Sequence, residues 1–248
     1  AAGGAHSMVA TADGHVYTWG DGGQGRLGHG DTTTQLAPKL VEALLLERVV
    51  AVVAGGEHSV MLAANGRVYT CGEHVGQLGH GDEEDQPTPK LVGALAGERV
   101  VSMFAGNVHT AAVTVDGRIF SWGWGGYGQL GHGDTEHQHT PKQITALAGH
   151  RVVHMDAGAD LVAFADHTIM VTASGSVFSC GANYGGQLGH GDKEGRSVPT
   201  EVTALASQRV VSVAAANALS LAITEGGGAL HWGVCFESVD DWLDDQYP

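Results

Sequence analysis

The sequence predicts an all-β fold: a β-propeller of about five four-stranded blades, with incomplete terminal blades. Three observations lead to this prediction. One glycine-rich phrase, Gly-Gln-Leu-Gly-His-Gly-Asp, recurs along the chain, four short β-like runs accompany it, and no repeated amphipathic helix is available to cover them. Self-similarity of this kind marks a repeat architecture, and a four-stranded unit of about 50 residues has the size of a propeller blade.

The recurring phrase sets the period of the chain. It occupies residues 76–82, 128–134 and 186–192, and also 25–31 with Arg26 in place of Gln. Its histidines are His29, His80, His132 and His190, which lie 51, 52 and 58 residues apart. The glycines fall at fixed offsets within the phrase, which is typical of turns, because glycine adopts positive φ without steric cost.

Four short runs per repeat predict the strands. The first is apolar, at 48–54, 99–105, 151–157 and 209–215, and the second and third flank a tight turn such as Asn65-Gly66. Asn-Gly and Asp-Gly between two such runs are strong hairpin signals. The fourth run starts at Pro38, Pro89, Pro141 or Pro199. Proline is tolerated at a strand start or on an edge strand.

The third run indicates how the sheets pack. In Val16-Tyr17-Thr18-Trp19 neither face carries a charge, so each sheet is expected to stack on other sheets. Residues 40–46 form the only helix-like apolar run, which we interpret as not repeated in kind. The repeats lie near 1–37, 38–88, 89–140, 141–198 and 199–233, and an acidic tail follows at 234–248. Five hairpins with four first runs and four proline-led runs predict three complete blades between two incomplete ones.

Composition excludes several classes of function. The 248 residues include 27 acidic and 12 basic ones, a formal net charge of −15, which disfavours direct nucleic-acid binding. No apolar run approaches the ~18 residues of a membrane span. The three cysteines, Cys71, Cys180 and Cys235, are too scattered for a disulfide framework or a zinc site. They favour a reducing, intracellular location, cytoplasmic or nuclear.

No cofactor, metal or catalytic residue is predicted. Histidines that recur once per blade do not converge on one ion, so we interpret them as loop struts bonded to backbone. His132, Glu136, His137 and His139 form the most obvious local cluster at which metal binding stays an alternative. The glycine-rich segment 123–128 precedes no helix, so it is no nucleotide-binding fingerprint. There is no hydrolase or transferase signature.

A specific resemblance follows from these motifs. The phrase, preceded by Val-Tyr-x-Trp-Gly and by Ala-Gly-x-x-His-Ser/Thr, resembles the regulator of chromosome condensation repeat family over residues 2–233. The family fold implied is usually a seven-bladed propeller. The resemblance therefore implies a segment of a longer propeller, whose open edges favour self-association.

The resemblance implies a protein-binding module or scaffold. The family includes an exchange factor for the GTPase Ran, propeller modules of large ubiquitin ligases and a plant UV-B photoreceptor. The alternative function is guanine-nucleotide exchange on a small GTPase, and a further one is photoreceptor-like signalling. The photoreceptor senses light with tryptophans in Gly-Trp-Arg-His-Thr segments, and the matching segments here, 56–59 and 107–110, lack them. The expected partner is a protein, such as a small GTPase or a ubiquitin-pathway component.

The loops that differ most between repeats are the predicted binding site, because strands are used up by blade packing. These loops are 83–86, 135–139 and an insertion at 160–166. The predicted protein-binding residues are Glu83, Glu84, Asp85, Glu136, Asp160, Leu161, Phe164 and Asp166. The acidic residues would steer a basic partner, and Leu161 and Phe164 would serve as apolar anchors.

Overall fold

The computed structural model describes residues 1–158 and 166–234, and this part of the chain contains eighteen strands. They are β1 His6–Ala10, β2 Val16–Gly20, β3 Gln35–Leu40, β4 Val49–Ala54, β5 His58–Ala63, β6 Val68–Gly72, β7 Gln86–Leu91, β8 Val100–Ala105, β9 His109–Thr114, β10 Ile119–Gly123, β11 Gln138–Gln143, β12 Val152–Gly158, β13 His167–Thr172, β14 Val177–Gly181, β15 Arg196–Glu201, β16 Val210–Ala216, β17 Leu219–Thr224 and β18 Ala229–Gly233. Helix in the same residues is limited to single 3-10 turns. The all-β prediction is confirmed.

The strands form five antiparallel sheets in chain order. Three sheets have four strands, β4 to β7, β8 to β11 and β12 to β15, and they lie in sequence between the three-stranded sheets β1 to β3 and β16 to β18. This confirms the prediction of complete blades between incomplete ones. Each four-stranded sheet has its hairpin turn and its link to the next sheet at one end, here called the turn end. Its two remaining loops lie at the other end, here called the loop end.

The fourth strand of each sheet begins earlier than the sequence predicted. Strand β7 begins at Gln86, three residues before Pro89, and β3, β11 and β15 begin likewise. Thr70 pairs with Lys90 and Gly72 with Gln86, and the register shifts between these pairs. The proline therefore lies at an irregularity on an edge strand, where its missing N–H is tolerated. The predicted repeat boundaries, near 37/38, 88/89, 140/141 and 198/199, therefore fall inside strands.

The chain divides into two compact units. The first contains Ala1–Gly125 and Glu136–Ile144, and so holds strands β1 to β11; the second contains Gly126–Thr135 and the described residues after Ile144. In the first unit, strand β5 is buried on both faces. Met61 belongs to a core shared with the first sheet, while Val60 belongs to a core shared with the third sheet. Sheet-on-sheet stacking is therefore confirmed there.

The second unit follows the same principle. Its core is formed by buried aliphatic residues of the fourth and fifth sheets, among them Ile169, Val171, Val213 and Ala222. Uncharged strand faces thus find their partners in neighbouring sheets, as the third run predicted. Among the described residues, none of the helices has the length and apolar character needed to cross a bilayer.

One expectation about the links between sheets was wrong. The apolar run at 40–46 is repeated in kind, because single 3-10 turns lie at Glu42–Leu44, Gly93–Leu95, Thr145–Leu147 and Thr203–Leu205. Leu44, Leu95 and Leu147 are buried. Each turn thus places one leucine against the core as the chain passes from one sheet to the next, and Leu205 is partly buried there.

Candidate functional site

The loop ends of the first unit are held in place by a buried hydrogen-bond relay. The ring Nε2 of His58 lies 2.8 Å from the Thr110 hydroxyl of the next sheet. That hydroxyl donates to the backbone carbonyl of Gln77 at 2.8 Å. Because its proton is used for the carbonyl, the hydroxyl accepts, and Nε2 of His58 carries the donated proton. This explains why Ser or Thr follows the repeated histidine.

The relay recurs between other sheets. His6 contacts Ser59, which donates to the carbonyl of Arg26. In the second unit, His167 contacts Ser220, which donates to the carbonyl of Gln187. Burial lowers the pKa of His58 to about 3. Burial, helped by the Arg26 charge, lowers the pKa of His6 to about 4. His58 and His6 are therefore neutral structural links at pH 7.

The histidines of the glycine-rich phrase have a similar structural role. His80 lies 3.0 Å from the hydroxyl of Thr70, which donates to the carbonyl of Leu78 at 2.7 Å. His29 and His190 make the same contact with a hydroxyl. The predicted strut role is consistent with this geometry: the ring contacts a side-chain hydroxyl, and a hydrogen bond to the Thr70 backbone opposes the effect of burial on the pKa of His80. Burial lowers the pKa of His80 to about 4.

Arg26, the single change in the phrase, organises the first acidic group. Its side chain is only 4% exposed and its guanidinium pairs with the carboxylate of Glu57 in the next sheet. A longer contact of 3.6 Å reaches Asp21, and the Arg26 Nε donates to the carbonyl of Gly23 at 3.0 Å. The arginine thus fixes the Glu57 carboxylate at the loop end.

A second carboxylate, Glu73, lies beside this pair. The backbone N–H of Glu73 donates to the carbonyl of Glu57 at 3.1 Å, so the two residues are neighbours across the β5–β6 hairpin. Burial raises the pKa of Glu73, and the nearby Glu57 and Asp85 charges raise it further. Neighbouring carboxylates create a region of negative potential, which attracts cations.

The predicted acidic segment extends this field to the surface. Glu83, Glu84 and Asp85 are all exposed. Asp85 pairs with the ring of His74 at 2.5 Å, and Glu83 lies 3.7 Å from His139. The hydrogen bond to Asp85 raises the pKa of His74. The acidic loop surface, as we call it below, comprises Glu57, Glu73, Glu83, Glu84 and Asp85.

The other predicted site residues differ in exposure, and some lie outside the described residues. Glu136 is exposed. Asp166 is 3% exposed, and its backbone carbonyl accepts a hydrogen bond from Ala182 at 3.0 Å, so its side chain is withdrawn from the surface. Asp160, Leu161 and Phe164 lie outside the described residues. The structure thus brings Glu83, Glu84 and Asp85 together as a surface in the first unit.

The sequence prediction missed Glu57 and Glu73. The hairpin register contained a clue, because pairing around Asn65-Gly66 sets His58 opposite Gly72 and therefore Glu57 beside Glu73. The Arg26–Glu57 pair crosses from one sheet to the next, and no local pattern announces it. A Tyr127–Tyr184 edge-to-face contact in the second unit, with ring centroids 5.9 Å apart, was also missed.

No metal centre is evident in residues 1–158 and 166–234, where no group of three or more His, Cys, Asp or Glu side chains could hold an ion. His137 instead stacks on Trp124 with ring centroids 5.6 Å apart, and its Nδ1 accepts a hydrogen bond from the backbone of Gly125. The chemistry of the acidic loop surface is therefore electrostatic: it can attract and orient a cationic group.

Comparison with known proteins defines the class. The family profile of the RCC1-like domain matches residues 1–237. The stacked four-stranded sheets, the recurring glycine-rich phrase and this match all indicate the same family. The chain belongs to the RCC1-like domain family, carries its β-propeller fold and is a protein-interaction module.

Individual relatives add detail. The chain is 39% identical over 235 residues to the human E3 ubiquitin-protein ligase HERC2, covering 93% of the chain but 5% of HERC2. It is 35% identical over 230 residues to the ultraviolet-B receptor UVR8 of Arabidopsis thaliana, covering 92% of the chain and 51% of the receptor. The structure of Prp20p from Saccharomyces cerevisiae superposes with a TM-score of 0.77 at 23% identity, covering 93% of the chain and 56% of Prp20p. The chain thus spans about half or less of these relatives.

Proposed function

We propose that this chain binds a partner protein through the acidic loop surface, and that the partner presents a basic segment. The observation that carries the proposal is the exposure of Glu83, Glu84 and Asp85 beside Glu73, whose pKa is raised first by burial and then by the charges of Glu57 and Asp85. A potential of this kind raises the association rate of a cationic partner and weakens with salt. The insertion residues Leu161 and Phe164 remain the proposed apolar anchors.

The larger context favours a scaffold. HERC2 carries the matching region as a small part of a named ubiquitin ligase, so we propose a ubiquitin-pathway component as one partner class. We include an intracellular location, cytoplasmic or nuclear, in this proposal, since Cys71 and Cys180 are buried free thiols. A light-sensing role is less well supported. Segments 56–59 and 107–110 lack tryptophan, and a Cβ at Gly56 would come 1.9 Å from the Asn107 side-chain oxygen.

The test replaces Glu83, Glu84 and Asp85 together with Ser. We expect an association rate about tenfold lower for partners captured from cell extract, because local steering is lost. The matched control replaces Glu42, Glu201 and Glu225 with Ser, which changes the net charge equally at exposed turn-end positions. A third variant replaces Leu161 and Phe164 with Ala. Retention of every partner at unchanged affinity by both site variants, each shown to be folded, would place the binding surface elsewhere.

The alternative function is tested in parallel. Prp20p has a solved structure whose study concerns its binding to Gsp1p and histones. Nucleotide release from a panel of small GTPases, measured with and without the chain, separates exchange activity from scaffolding. We expect no acceleration of release, and a clear acceleration that the triple Ser variant abolishes would favour the exchange factor.

A further inference from the structure

The turn end of the second sheet contains an amphipathic cleft that the proposed binding site does not involve. It has a volume of about 370 Å³ and lies at the opposite end of the sheet from the acidic loop surface. Its floor is aliphatic: Val92 and Leu95 are buried, while Leu91 is 40% exposed. The side chains of Arg67, Glu98 and Arg99 complete the walls.

The charges around this cleft are unequally satisfied. Glu98 is held by a bidentate ion pair with Arg118, at 2.9 and 2.5 Å. Arg67 is 58% exposed and its nearest carboxylate, Glu47, is 3.6 Å away. Glu47 also accepts a hydrogen bond from Tyr69 at 2.6 Å. Arg99 is exposed and has no ion pair among the described residues. Arg67 and Arg99 thus line a cleft whose own carboxylate, Glu98, is already paired.

The fourth sheet supplies an internal comparison, since the same cleft recurs there in another form. It measures about 50 Å³ and is lined by Ser176 and Glu201 at the positions of Arg67 and Leu91. Arg209, the counterpart of Arg99, pairs with Glu225 at 3.2 Å. The repeat therefore does not require two exposed arginines and an exposed leucine. Compared with the fourth sheet, the second sheet has them beside a larger cleft.

We propose that the second-sheet cleft, lined by Arg67, Leu91, Leu95 and Arg99, binds an acidic segment of a partner protein in which a carboxylate residue precedes an apolar side chain. Guanidinium groups recognise carboxylates by paired hydrogen bonds, and the aliphatic floor accepts the following side chain. The chain has a net charge of −15, which repels acidic peptides in general. Binding must therefore come from a local site. This inference is independent of the acidic loop surface.

The probe is a fluorescein-labelled peptide, Gly-Asp-Asp-Leu-Phe-Asp-Gly, followed by fluorescence anisotropy at low salt. We expect saturable binding that weakens about tenfold or more with Asn in place of every Asp, and about tenfold in each of the variants Arg67→Gln and Arg99→Gln. Leu91→Glu, which copies the fourth sheet, is expected to abolish binding. Arg209→Gln is the matched control and should bind as the parent does. Circular dichroism and thermal unfolding confirm that each variant is folded.

Several results would overturn the proposal. These are no saturable binding by the parent chain, equal affinity for the Asn peptide, unchanged binding by both arginine variants, or an equal loss in Arg209→Gln. The variant with Ser at Glu83, Glu84 and Asp85 should keep its affinity for the acidic peptide. That result separates this cleft from the proposed function, because either surface can fail while the other is retained.

Discussion

The space around each buried histidine requires glycine at the start of the loop that leads to it. A Cβ at Gly55 would come 2.3 Å from Cε1 of the His58 ring, and Gly3, Gly106 and Gly158 face their own histidines in the same way. None of these four glycines has a positive φ. The glycine at this point of each repeat, three residues before the histidine except at Gly158, therefore reflects room for an imidazole against the backbone rather than the conformational freedom of glycine.

The variant Gly55→Ala tests this explanation. The added methyl must displace the His58 ring, and overpacking of this kind costs roughly 2 kcal/mol. Gly93→Ala is the matched control, since a Cβ there meets nothing within 4 Å and φ is ordinary. Urea denaturation of both proteins should show a loss for Gly55→Ala only. Equal stability of the two variants would contradict the role given to Gly55.

At the scale of the element, the relay joins consecutive second strands. His58 opens β5 and contacts Thr110 of β9, and the His6 and His109 charges lower its pKa further after burial has done most. The folded-state pKa is therefore below the unfolded value, ~6.5. Between these two pKa values His58 is protonated in the unfolded chain and neutral in the folded chain. The stabilisation from neutral His58 is therefore fully present above about pH 6.5 and is lost as the pH falls.

We expect the free energy of unfolding to fall between pH 7 and pH 5, with about 2 kcal/mol attributable to His58 alone. Denaturant unfolding at both pH values measures this loss. The variant His58→Leu, which copies Leu219 in the fifth sheet, should lose correspondingly less between the two pH values, although it is less stable at both. His231→Asn, on an exposed position of β18, is the control. The same pH dependence in His58→Leu and the parent would refute the explanation.

The elements themselves were well predicted, and the reason is local chemistry. Asn65-Gly66 and the alternating runs around it specify a hairpin within a dozen residues. The start of β7 was predicted at Pro89, three residues too late. The residues before Pro89 carry no apolar strand pattern, and Gln86 belongs to the strand because it pairs with Gly72. The acidic loop surface was half predicted. Glu83, Glu84 and Asp85 stand out as a run, whereas Arg26 and Glu57 meet only after two sheets have stacked.

At the scale of the whole molecule, the two three-stranded sheets leave edges. Ala2 forms an isolated bridge to Ser7 beside β1, and in the described residues no strand pairs with the outer side of β18. Unpaired edges are templates for strand pairing. We therefore expect the predicted self-association of the 248-residue chain to occur by strand pairing at β1 and β18.

Sedimentation velocity across a concentration series measures this association. We expect a rising weight-average mass for the parent chain and a smaller rise for Leu230→Lys, because a charge on an edge strand opposes pairing. Leu46→Lys, at a fully exposed position outside the strands, is the control. A monomer at all concentrations would show that these edges are not exposed to pairing.

The hydroxyl relay also bears on how such proteins change length over evolution. Within each unit, the histidine of one sheet contacts a hydroxyl of the next sheet, and that hydroxyl donates back to a loop of the first sheet. His58, Thr110 and Gln77 are an example. Trp122 donates to the same Gln77 carbonyl at 2.9 Å. Because each of the three relays in the described residues, from His6, His58 and His167, joins neighbouring sheets, a duplicated repeat brings both its histidine and its hydroxyl. Gene duplication can therefore lengthen such a chain, and deletion can shorten it, without redesign of the remaining repeats.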